Sequence, residues 1–98
     1  MFDKMKELME LKRQADQLKK ELEAATVEVN EVYGIKIVVN GAQGFKSIEI
    51  DAEKINAQNK SRLESEILRS INAAIKKSQQ IAAQKMKNMP GLNIPGLT

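Results

Sequence analysis

Ile35-Lys36-Ile37-Val38-Val39-Asn40-Gly41-Ala42-Gln43-Gly44-Phe45-Lys46-Ser47-Ile48-Glu49-Ile50-Asp51 holds two runs in which β-branched residues recur at every second position, Ile35, Ile37 and Val39, then Ile48 and Ile50. A period of two places those side chains on one face of an extended chain. The Asn40-Gly41 pair with Gly44 interrupts the alternation, and glycine or asparagine at that point can take the positive-φ backbone that a hairpin connection requires. Upstream, from Thr26 onward, Val27 and Val29 show the same period, with Gly34 as a break. The stretch predicts three strands, 26–32, 35–40 and 45–51, in an antiparallel meander. A three-stranded sheet with one apolar face is marginal alone in water, so helices or a second copy of the chain must complete it.

On the N-terminal side, apolar or small residues stand at 1, 8, 11, 15, 18, 22 and 25, a heptad set broken only by Lys4. This predicts a long amphipathic helix over 1–25, about 37 Å at 1.5 Å per residue. Lys6 with Glu10, Lys12 with Asp16, Asp16 with Lys20 and Lys19 with Glu23 are spaced to pair on its polar face. Met1, Met5, Leu8, Leu11, Leu18 and Leu22 form a seam suited to another helix or to a second copy. On the C-terminal side, Asp51 to Ile55 reads as a short turn. Asn59, or Ser61 with Glu64 in capping-box spacing, opens a second long helix. That helix runs through Leu63, Ile67, Leu68, Ile71, Ala74, Ile75, Ile81, Ala82 and Met86 and stops before Pro90, with its basic residues off the apolar stripe. The pattern assigns one α+β domain to 1–89. The tail 90–98 repeats Pro-Gly-Leu, cannot continue a helix or strand, and reads as flexible or as a clip onto an apolar groove.

Charge divides the chain unevenly. Residues 1–25 hold six basic and six acidic side chains, 26–59 three and five, and 60–98 seven and two. Every acid lies at or before Glu66, whereas Arg69, Lys76, Lys77, Lys85 and Lys87 follow. Uncompensated positive charge along one helix suits a polyanion, although a solvated face that maintains solubility would look similar. The chain has no His and no Cys, so the common neutral-pH proton shuttles and thiol nucleophiles are missing, as are cysteine zinc sites and disulfides. No phosphate loop or dinucleotide fingerprint occurs. The expectation is a non-enzyme without cofactor, metal or small-molecule substrate. No apolar run is long enough to span a membrane, and the start lacks a signal-peptide layout, which suits a cytoplasmic protein.

For nucleic acid the sequence supplies charge without base readout. Phe2, Tyr33 and Phe45 are too few and too scattered for a stacking platform, while duplex phosphates require only Lys and Arg along a surface. The candidates are Lys76, Lys77, Lys85 and Lys87 first, having no acid within a turn, then Arg69, Lys12, Arg13, Lys19 and Lys20.

A Met-rich amphipathic helix, then Ile35 to Gly41, then Ile48-Glu49-Ile50-Asp51, then a helix with Leu63-Glu64-Ser65-Glu66-Ile67 and Asn72-Ala73-Ala74, resembles the YbaB/EbfC family of bacterial nucleoid-associated proteins over nearly the whole chain. The loop Asn30 to Gly34 is shorter and less glycine-rich than that family's usual one. The resemblance implies a helix, three strands and a helix, two chains in a tweezer-shaped homodimer, location at the nucleoid, and duplex DNA bound with relaxed sequence preference. The other reading is a helical scaffold whose basic helix meets an acidic protein.

Overall fold

The computed structural model describes residues 2–88. Helix α1 (Phe2–Ala24) leads into strands β1 (Thr26–Val32), β2 (Ile35–Asn40) and β3 (Phe45–Ile50). Two 3-10 turns, Ala52–Lys54 and Ala57–Asn59, connect them to helix α2 (Lys60–Lys87). The strands are antiparallel in the order β1-β2-β3, with β2 in the centre. Val29, Ile37 and Ile48 share one row across the sheet, and Ile35 pairs with Ile50. This is the expected α-β-β-β-α meander. The tail 90–98 lies outside the described residues, and among those residues no helix is long and apolar enough to cross a membrane.

The core is one layer thick. Val29, Val32, Ile35, Ile37 and Val39 are buried beneath α2, with Leu63, Ile67 and Ile71 packed around them. α2 approaches closely because Ser70, Ala74 and Ser78, four residues apart and all 0% exposed, face the strands with small side chains. Ser70 Oγ donates to the Glu66 carbonyl (2.8 Å), and Ser78 Oγ accepts the Gln43 N–H (2.9 Å), so both buried hydroxyls are satisfied.

The β2–β3 hairpin tip locks the two helices to the sheet. Asn40, 3% exposed, accepts at Oδ1 from the N–H groups of Ala42 (2.9 Å) and Gly44 (2.7 Å) and donates from Nδ2 to the Glu23 carbonyl at the end of α1 (3.2 Å). The Gly41 N–H donates to the carbonyls of Leu22 (2.9 Å) and Ala25 (3.0 Å). A Cβ at Gly41 would stand 2.8 Å from Ile81 Cγ2 and 3.1 Å from Leu22 Cδ2. Gly41 is therefore required by the close approach of both helices. The positive φ expected of Gly41 and Gly44 falls elsewhere, on Gln43 (φ 61°) in this turn and on Gly34 (φ 86°) in the β1–β2 turn.

Both helices leave the sheet past this tip, which makes the molecule long, 68 × 23 × 17 Å. α1 retains its apolar stripe, but only part of it is used. Leu18 and Leu22 are half-buried, whereas Met5 (64%), Leu8 (66%), Met9 (71%) and Leu11 (54%) are exposed in the single chain. The ion pairs anticipated on α1 are replaced, among the described residues, by Arg13 with Glu10, whose Nε and Oε2 are 3.2 Å apart. At the start of α2 the capping box does not form. Asn59 occupies the cap position without a side-chain bond, its own N–H is taken by Asn56 Oδ1 (2.9 Å), and Glu64 turns to Lys60 (3.8 Å).

Candidate nucleic-acid interface

The basic residues of α2 fall on different faces. Arg69, Lys76 and Lys87 are separated by seven and eleven residues, so they share one face over about 27 Å. Lys77 stands a step round from them, towards β1. Lys85 follows Ala74 by eleven residues and Ser78 by seven, which puts it on the side that carries the buried stripe, and it is half-buried. The expectation that every basic residue of α2 lies off the apolar stripe therefore fails at Lys85. On α1, Arg13 and Lys20 share a face directed away from the half-buried Leu18 and Leu22, and Lys12 and Lys19 share a second; all four are exposed.

Pairing separates the arginines from the lysines. Arg69 Nε stands 3.8 Å from Glu31 on β1, and Arg13 is engaged by Glu10, whose hydrogen bond raises the guanidinium pKa and lowers that of the carboxyl. Among the described residues no ion pair within 4.0 Å involves Lys76, Lys77, Lys85 or Lys87, and none involves Lys12, Lys19 or Lys20. Carboxylates three or four residues away thus leave the α1 lysines unpaired at contact distance, so the spacing argument that ranked them below the α2 lysines loses force. The remaining difference is field: α1 has acids along its whole length, and α2 has none after Glu66.

Lys76 and Lys77 also border a trough of about 450 Å³ between α2 and β1, where Val29 and Glu31 face Asn72, Ala73 and Gln80. Most of the acids are elsewhere. On the outer face of the sheet Lys36 bridges Glu49 (3.2 Å) and Glu28 (3.7 Å), which together hold its ammonium pKa above the ordinary lysine value. Near the start of α2, Glu66 takes Lys54 (2.7 Å) and Arg62 (3.0 Å). Its carboxyl is held below the ordinary range, chiefly by the Lys54 hydrogen bond. The sheet end is therefore rich in carboxylates, and the unpaired lysines of α2 lie along and beyond that helix's middle. Among the described residues no group of three or more potential ligands could hold a metal ion.

The model of the YbaB/EbfC DNA-binding family matches residues 1–92. The chain belongs to that family. It is similar to a nucleoid-associated protein of Syntrophobacter fumaroxidans, 33% identical over 103 residues that cover 98% of this chain and 94% of that protein. It is also similar to one of Pelotomaculum thermopropionicum, 35% identical with 99% and 94% covered. A third, from Myxococcus xanthus, is 33% identical with 90% and 86% covered. Sequence reasoning missed the hairpin tip, which sets where the lysine-bearing helices leave the sheet. Its only signal was Asn40-Gly41, which reads equally well as an ordinary turn.

Proposed function

We propose that this protein binds duplex DNA through phosphate contacts, with little sequence preference, as a tweezer-shaped homodimer that organises the nucleoid. The observation that carries the reading is the set of unpaired lysines on a helix with no acid after Glu66, in a chain of a DNA-binding family. Lysines on a helix surface neutralise phosphates without reading bases. Lys76, Lys77 and Lys87 lead, Lys12, Lys19 and Lys20 support them, and Arg69 and Arg13 contribute once they exchange a carboxylate for a phosphate. Lys85, half-buried, contributes less than these. The role is binding and architecture, not catalysis.

Dimerisation is supported by apolar surface that one chain leaves open. α2 lies over β1 and β2, so the face beside β3 exposes Phe45 (47%) and Ile48 (49%), and Leu68 on α2 is 61% exposed. Burying such a surface against a second copy is the ordinary remedy for a small domain. The test is a mobility shift with random and defined duplexes at physiological salt, with and without competitor DNA. Equal retardation of both duplexes is expected. Competitor DNA should displace both duplexes alike, as binding through phosphates requires, and the absence of any shifted complex at physiological salt without competitor would defeat the proposal.

A further inference from the structure

We propose that the trough between β1 and the middle of α2 receives an extended acidic segment of a partner protein, added along the open edge of β1, and that this segment and DNA exclude one another. The inference rests on the reading above in one respect, that Lys76 and Lys77 are DNA contacts.

Three observations converge on the trough. First, β1 is an edge strand, and such an edge presents main-chain N–H and C=O groups that pair with an added strand. Its regular ladder with β2 runs from Thr26 to Val29 before a register shift, so an added strand would pair over that stretch and end at the shift. Second, the trough is a half-open concavity between β1 and α2 in which Val29 and Ala73 supply the apolar part of an otherwise polar lining. A duplex offers a convex surface of phosphate and sugar that rests on helix ridges, whereas an added strand about 4.8 Å from β1 would lie within the concavity. Third, the charge is one-sided. The one acid in the lining, Glu31, is already held by Arg69 at 3.8 Å, which leaves Lys76 and Lys77 without partners among the described residues. Alternate side chains of an added strand point to the same face. Those directed at α2 would meet the two ammonium groups, so the segment needs an acid at every second position.

The experiment uses the full chain and a fluorescein-labelled octapeptide of alternating valine and glutamate, read by anisotropy. The expected result is saturable binding that weakens about tenfold in the Lys76→Glu/Lys77→Glu protein, as reversal of two exposed ion pairs allows. Binding should also weaken severalfold when the peptide is N-methylated at alternate residues, which blocks strand pairing and retains the charge. The Lys76→Gln/Lys77→Gln protein repeats the measurement without charge reversal, and far-UV dichroism confirms its fold. No saturable binding overturns the proposal, as does equal affinity in the lysine variants or for the N-methylated peptide. A labelled duplex is titrated in parallel, and the unlabelled peptide should displace it. If the duplex binds but is not displaced, mutual exclusion fails. If the duplex never binds, the DNA reading fails while the peptide titration still decides the trough.

Discussion

Gly41→Ala tests how the arms are attached to the sheet. The added methyl would stand 2.8 Å from Ile81 Cγ2, 3.1 Å from Leu22 Cδ2 and 3.3 Å from the Leu22 carbonyl oxygen. One neighbour is the end of α1 and the other belongs to α2, and the Leu22 carbonyl is fixed by the Gly41 N–H, so little can yield without separating the helices. Over-packing of this kind costs about 1–3 kcal/mol. The lower chain entropy of alanine in the unfolded state returns about 0.4–1 kcal/mol. The net loss should be about 1–2 kcal/mol, which for a domain of this size lowers Tm by roughly 5–15 °C. Thermal unfolding followed by circular dichroism at matched protein concentration measures it. In an Ile81→Ala background, where Cγ2 is gone, the same change should cost at least about 0.5 kcal/mol less. A Gly41→Ala protein as stable as the parent, or an equal cost in both backgrounds, would refute the close three-way contact at the tip.

Asn40→Ala leaves the N–H groups of Ala42 and Gly44 and the Glu23 carbonyl without their partner; chemical denaturation should show a loss of about 2–4 kcal/mol. Asn40→Asp, which retains the acceptor, should lose less. Glu66 titrates below its ordinary value of 4.5 in the fold because Lys54 and Arg62 favour the charged form. Its contribution is therefore complete above that value and lost as pH falls through the lower folded value. Glu66→Gln should melt lower than the parent at pH 7, and the gap should close in acid below pH 4.5; a gap independent of pH would contradict the pairing. Light scattering at micromolar concentration should give twice the chain mass, and a monomer would exclude the exposed faces of β3 and α1 as a dimer contact.

The strands were readable to within a residue because β-branched residues recur at every second position through most of each run, and Gly34, Asn40-Gly41 and Gly44 separate the runs. The length of α2 was equally plain, since its apolar spacing persists up to Pro90. Other features escaped because they depend on tertiary contact. Ser70 and Ser78 look like surface residues in a helical pattern, yet they line the closest approach of α2 to the sheet because small size outweighs polarity there. Lys85 belongs off the apolar stripe by the sequence pattern, but the buried stripe that carries Ala74 and Ser78 continues through it and leaves it half-buried. Gln43 adopts the left-handed backbone while Gly41 does not, since Gly41 is selected for space. The candidate lysines could be named from charge. Their division between faces, and the engagement of Arg13 and Arg69 by neighbouring carboxylates, could not.

Under the proposed function, lysines on α2 hold DNA by its phosphates. The most direct measurement is the salt dependence of affinity for a random duplex, comparing the parent with Lys76→Gln/Lys77→Gln. Log affinity should fall linearly with log salt, and the double variant should bind more weakly on every sequence, with a slope shallower by about 1.8 for each protomer engaged, 0.9 per lost phosphate contact. An unchanged slope and affinity in the folded variant would contradict the account.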